Sequence, residues 1–89
     1  MNDFLPIGFD AYVNVDKVKL ISAIDADKLR REMKKRGIER SGDRFWDACS
    51  GKALKTLLLL EDGTIVISAI GSDTLIKRFY EIKIGGNLK

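Results

Sequence analysis

The chain has 89 residues, with 16 Lys and Arg against 13 Asp and Glu, one cysteine and no histidine. A domain this small buries only about 60–65% of its unfolded surface, so self-association is a natural source of added stability. At 45% hydrophobic and 33% charged the composition is globular, and it excludes both a disordered chain and a run of apolar residues long enough to span a bilayer.

The absence of histidine removes the commonest metal ligand and the side chain best poised for proton transfer near neutral pH. An enzyme, a metal site, a cofactor and a small-molecule substrate are therefore not expected. A lone cysteine cannot close an internal disulfide, and the N-terminus lacks the pattern of a secretory leader; a reducing, cytoplasmic setting is the expectation. Charge is distributed unevenly. Residues 1–27 carry −3, residues 28–55 carry +6 and residues 56–89 are neutral, so the basicity sits in the middle third.

From Ile7 to Val15 the odd positions Ile7, Phe9, Ala11, Val13 and Val15 are apolar and the even ones are mostly polar, the period of a half-buried strand. After Asp16 the parity flips to Val18, Leu20 and Ile24, which predicts a turn near Asn14–Lys17 and a second, antiparallel strand. Lys17 falls at that turn. Asp25 offers an N-cap, Leu29 and Met33 share a face and Gly37 is a stop, so a short helix follows. Its last turn, Lys34-Lys35-Arg36, complements the negative end of the helix dipole, and a solvated face accounts for that cluster without any ligand.

Residues 38–53 show no sustained period and read mostly as loop. Leu54–Leu60 is a strand so apolar that both of its faces must be covered, and Glu61-Asp62-Gly63-Thr64 is a tight hairpin signal leading into Ile65–Ile70. A closing helix starts at Ser72 or Asp73, carries Leu75, Ile76 and Phe79 on one stripe and ends near Phe79–Tyr80. The tail alternates at Ile82 and Ile84, consistent with a short added strand or a frayed end. The expected architecture is α+β: one small domain over residues 1–89, with a core of 4–80 and a C-terminal extension of 81–89, a mostly antiparallel sheet and the order β-β-α-loop-β-β-α.

The stretch DACSGKALKT, Asp47 to Thr56, concentrates the candidate chemistry. Cys49 has no histidine to activate it, and a buried, quiet thiol is the commoner arrangement. Ser50-Gly51-Lys52 resembles part of a nucleotide phosphate loop, but Trp46 and Ala53 stand where that pattern needs glycine and a hydroxyl residue. What survives is more general: a glycine turn presents backbone N–H groups, and Lys52 and Lys55 add charge, to a phosphate. Phe45 and Trp46 beside it suit a base-stacking surface or, more commonly, a core or interface. The carboxylate pairs Asp25/Asp27 and Glu61/Asp62 are explained by a helix start and a turn.

Phe4-Leu5-Pro6-Ile7-Gly8-Phe9, the basic turn residue Lys17, Asp47-Ala48, Gly51-Lys52, Lys55, Asp62, Ile65-Val66-Ile67-Ser68-Ala69 and the helix through Thr74, Leu75 and Arg78 together resemble the RemA family of bacterial extracellular-matrix gene regulators. The resemblance runs from about Phe4 to Phe79. It loosens in the middle, where the segment before the first helix is contracted and the link to Asp47-Ala48 is expanded. The family's Gly-Arg-Arg-Thr-Arg run appears as Gly51-Lys52-Ala53-Leu54-Lys55. Lysine is a point charge without the bidentate fork of arginine, which suits gripping phosphate more than discriminating bases.

The resemblance implies a DNA-binding transcriptional activator of matrix or biofilm genes, without enzyme activity, built on a LytTR-like fold. It also implies a ring-like homo-oligomer that carries double-stranded DNA much as a histone core does, through backbone contacts and bending. Lys17 matches the family's turn arginine, Lys52 the first arginine of the basic run and Lys55 the last; with Gly51 these are the expected DNA contacts. The uniformly apolar Leu57–Leu60 strand is the expected source of an assembly interface. A protein-interaction module that has lost DNA binding is the alternative. A membrane-surface role is not expected, because the apolar stripe of the basic helix is narrow.

Overall fold

The computed structural model describes residues 3–8 and 10–87. Six strands and two helices follow in the order β1 (Phe4–Gly8), β2 (Ala11–Asn14), a 3-10 turn (Val15–Lys17), β3 (Val18–Ala23), α1 (Ala26–Arg36), β4 (Phe45–Ala48), β5 (Thr56–Leu60), β6 (Ile65–Ser68) and α2 (Ser72–Asn87). The class is α+β and the pairing mostly antiparallel, as expected. Two sheets are present: the hairpin β1-β2, and a four-stranded sheet in the order β3-β5-β6-β4, whose β4-β6 pair is parallel.

Four features differ from the expected order. The strand foreseen over Ile7–Val15 is the hairpin β1-β2, with Leu5 opposite Val13 and Gly8 opposite Ala11. The register shift between Pro6 and Gly8 sets residues of equal parity opposite one another, Leu5 with Val13 and Pro6 with Tyr12, so the parity of the apolar positions carries across the turn and imitates one strand. Phe9 lies outside the described residues. The chain then passes from the small sheet to the large one through the 3-10 turn, and β3 pairs with β5 instead of β2. Residues 45–48, read as loop, form β4. The final helix does not stop at Phe79–Tyr80 but runs through Asn87, because Ile82 continues the Leu75 and Phe79 stripe and packs against the same core.

The first helix forms as its caps dictate. The Asp25 carboxylate accepts from the Lys28 N–H at 2.8 Å, and Gly37, at φ 67°, closes the other end while the Ile38 N–H reaches back to the Met33 carbonyl at 2.9 Å. The leucine strand β5 is central in the sheet and splits its side chains between two cores. Leu57 and Leu59 meet Leu29, Met33, Ile38 and Phe45 on the α1 side; Leu58 meets Leu5, Ile7, Val13 and Leu75 beneath the hairpin and α2. Both faces are covered, as its composition requires. The expectation that this strand supplies an assembly interface is therefore overturned, because Leu57, Leu58 and Leu59 are buried within the chain itself.

Ser68 fastens the two sheets. It is fully buried, its hydroxyl donates to the Ile7 carbonyl of the hairpin, and it accepts from the Ile70 N–H at 3.0 Å. Thr56, equally buried, donates to the Ile70 carbonyl at 2.6 Å. Both hydroxyls are satisfied, so neither carries the cost of an unpaired buried polar group.

Candidate nucleic-acid interface

The DACSGKALKT stretch leaves β4 at Ala48 and enters β5 at Thr56. Its turn is built locally. The Asp47 carboxylate accepts from the Cys49 N–H at 2.8 Å, and the Lys52 N–H closes onto the Cys49 carbonyl at 3.0 Å. Between them Ser50 (φ 53°) and Gly51 (φ 82°) both adopt left-handed backbone, as a type I′ turn demands and as glycine does without strain. Lys55 is then fixed by its own backbone, donating to the Ser68 carbonyl and accepting from the Ile24 N–H, each at 3.0 Å. Gly51, Lys52 and Lys55 are all exposed.

The hairpin packs directly against this loop. Gly8 approaches so closely that a Cβ placed on it would lie 2.6 Å from the Ala48 carbonyl oxygen, and its φ of 150° is itself a glycine conformation. Gly8, Ala48, Ser50 and Lys52 line a hollow of about 260 Å³ at this end of the sheet. The glycine of the Phe4–Phe9 motif thus has a mechanical role that sequence reading missed: it lets β1 seat against the end of β4. An invariant need for close approach leaves no mark in linear spacing.

Lys17 is elsewhere. Val18 is paired with Leu60, whereas Lys55 precedes Thr56 at the opposite end of the same strand. Lys17 lies level with Glu61, six residues beyond Lys55, which at the rise of an extended chain is about 20 Å along the strand axis. The structure therefore brings Gly51, Lys52 and Lys55 together and sets Lys17 apart, beside the β5-β6 hairpin. There its carbonyl accepts from the Glu61 N–H at 2.8 Å, and Lys17 shares a hollow with Glu61 and Asp62. The neighbouring Asp16 carboxylate is held by Lys83 of α2 at 2.8 Å. That hydrogen bond and charge pull the Asp16 carboxyl below its ordinary value; the Thr64 N–H does the same for Asp62. Among the described residues none of Lys17, Lys52 and Lys55 is engaged in an ion pair.

Cys49 is a packing residue. It is buried in the α1-side core, and burial, reinforced by the adjacent Asp47 charge, pushes its thiol up to about 11. A thiolate is scarce at neutral pH under those conditions, so nucleophilic chemistry is disfavoured. The Phe45-Trp46 pair divides in two: Phe45 is core, with the Arg40 guanidinium 5.4 Å from its ring centroid, while Trp46 is 54% exposed. Several basic residues of the middle third also have local duties. Arg30 pairs with Asp27, Arg36 with Glu32, and Arg44 donates to the Asp62 carbonyl at 2.8 Å across the hairpin turn.

Among the described residues no helix is long and apolar enough to cross a membrane. A family model described as "RemA-like: Extracellular matrix regulatory protein A-like" matches residues 4–79. The chain is 36% identical over 78 residues to a protein named "Putative regulatory protein" from Coprothermobacter proteolyticus, an alignment covering 88% of this chain and 71% of that one. It is 38% identical over 77 residues to a similarly named protein from Leptospira biflexa, covering 83% and 76%. The exposed glycine turn with its two lysines, the close-packed Gly8 and the Asp47 cap all fall within the matched span, and the chain belongs to the RemA-like family of regulatory proteins.

Proposed function

We propose that the protein is a cytoplasmic, DNA-binding transcriptional regulator of the extracellular-matrix or biofilm type. It grips double-stranded DNA through phosphate contacts as a ring-like homo-oligomer. The observation that carries this reading is the turn at Ser50–Gly51, which holds Lys52 and Lys55 exposed at one end of the sheet with backbone N–H groups beside them. Phosphate is the ligand such a site suits, because point charges and amide dipoles bind it without any demand on sequence. Lys17 supplies a second, separate contact. A duplex lying along the strand direction meets the two sites about half a helical turn apart.

A net charge of +3 gives one subunit weak affinity. Repetition around an oligomer turns a few contacts per subunit into avid binding. The test is DNA affinity measured against salt concentration for the wild type and for the double variant K52A/K55A. The expected result is a slope smaller by about 1.8 for each subunit on the DNA, with weakening that is uniform across sequences. An unchanged affinity and slope would show that the site is misassigned. The second reading, an assembly module without DNA binding, draws on the replacement of the family's arginines by lysine and alanine and on the exposed Tyr12 and Trp46. It is favoured if long duplex DNA fails to bind at low salt while the oligomer persists.

A further inference from the structure

The N-terminal hairpin and strand β4 border a hollow of about 410 Å³ whose lining includes Tyr12, Trp46, Asp10 and Asp47. Trp46 lies opposite Val66 in the parallel β4-β6 pair, and Val66 belongs to the core beneath the hairpin. The indole therefore stands on the hairpin side of the sheet, at its outer strand. Tyr12 and Trp46 are 56% and 54% exposed, so both rings keep surface free for a ligand. Asp10 sits in the hairpin turn with left-handed backbone, φ 54°. Asp47 spends one carboxylate oxygen on the Cys49 N–H. Among the described residues no lysine or arginine lines this hollow, and neither carboxylate has an ion-pair partner.

We propose that this hollow is a binding site for a small organic cation, an alkylated ammonium held by the rings of Tyr12 and Trp46 and by the charge of Asp10 and Asp47. Tryptophan and tyrosine are the rings whose faces attract a cation most strongly, and an alkylated ammonium sheds its water more readily than a metal ion does. Two carboxylates fall short of the six or more oxygen ligands that a hard metal cation gathers, and no metal-binding group occurs among the described residues. The same carboxylates repel phosphate, so they also exclude a nucleic-acid base as the partner of Trp46. An uncharged ligand would leave both of them without a counter-charge. The volume lies at the lower end of the range of about 300–1,000 Å³ for ligand pockets, which suits a small molecule. Asp47 also caps the turn that carries Lys52, so the hollow adjoins the proposed DNA contact. The inference goes beyond the DNA-binding reading and does not depend on it.

Trp46 is the chain's one tryptophan, so its fluorescence reports on the hollow directly. Choline chloride is titrated into the protein without DNA, beside sodium chloride at equal ionic strength and beside the neutral isostere of choline that carries carbon in place of nitrogen. Choline is expected to change the Trp46 emission saturably and sodium chloride to leave it unchanged. The isostere is expected to bind about tenfold more weakly, because the rings and the carboxylates both act on the charge. Y12L and D10N are each expected to weaken choline binding by about threefold to tenfold. Asparagine accepts the left-handed backbone of Asp10, so D10N keeps the test readable if circular dichroism shows Y12L to be unfolded. A response to choline no greater than that to sodium chloride, or equal binding of the isostere, overturns the proposal. So does unchanged binding in the folded variants, which would place the cation elsewhere. An oligomer whose Trp46 is shielded from acrylamide and unresponsive to choline would show a second copy filling the hollow, and overturns it as well.

Discussion

The two ends of the large sheet hold the same kind of residue in opposite settings. At the loop end, Lys52 and Lys55 flank a turn whose one nearby carboxylate, Asp47, is occupied by the Cys49 N–H. At the hairpin end, Lys17 follows an aspartate, shares its hollow with Glu61 and Asp62 and sits next to the Asp16–Lys83 ion pair. The lysines of the loop end share their stretch with one carboxylate, Asp47, whereas Lys17 has Asp16, Glu61 and Asp62 around it. Being exposed and basic is therefore insufficient to rank two candidate phosphate contacts; the surrounding carboxylates rank them.

Breaking the loop end mechanically is expected to have the largest effect. In G8A the new methyl group collides with the Ala48 carbonyl and the backbone is left in a glycine-only conformation. A loss of roughly 2–4 kcal/mol in stability is expected, read by thermal or urea unfolding. An unfolding midpoint equal to that of the wild type would mean that Gly8 does not seat the hairpin.

Next in size is a direct comparison of the two lysine sites by single substitution. K52A is expected to weaken DNA binding more than K17A does, and E61Q is expected to strengthen it slightly by relieving the field around Lys17. Equal losses for K17A and K52A in a salt titration would erase the distinction between the ends.

The smallest effect concerns Cys49, which reports on whether the loop end is packed. Its thiol is expected to resist alkylation at neutral pH until the protein unfolds. Because its folded value is raised from an ordinary 9.0 to about 11, its protonated form contributes stability in full below pH 9.0. That contribution declines as pH rises through the interval and is gone above about 11. Rapid modification of the native protein near neutral pH would show the loop to be open.

Local signals in the sequence translated faithfully. Asp25 and Gly37 bound α1 where its capping pattern says, and Glu61-Asp62-Gly63-Thr64 makes the β5-β6 hairpin through the Asp62 carboxylate on the Thr64 N–H at 2.9 Å. Leu57–Leu60 asked for cover on both faces and has it. What failed was inference about partners. Alternation records which face of a strand is buried and is silent about which strand lies beside it, so the parity flip at Asn14–Lys17 resembled a hairpin and proved to be the passage between two sheets. Strand β4 was hidden because only Phe45 turns inward while Trp46 and Asp47 stay exposed. Its partner β6 lies in parallel some twenty residues away, a pairing no turn residue announces. The same limit applies to the site. The grouping of Lys52 with Lys55 follows from the short loop, whereas the distance to Lys17 depends on the register of β3 on β5.

The seat of the N-terminal hairpin lies far along the chain. Ile7 is held by Ser68 across 61 residues, and Pro6 by the Arg78 guanidinium, at 3.1 Å, across 72. The hairpin strands of this domain therefore have no place to dock until nearly the whole domain has followed them. During synthesis Leu5, Ile7, Val13 and Val15 wait uncovered while β5, β6 and α2 are made. Completion of the fold, and with it the close approach of Gly8 to the end of β4, is timed by the arrival of the closing helix.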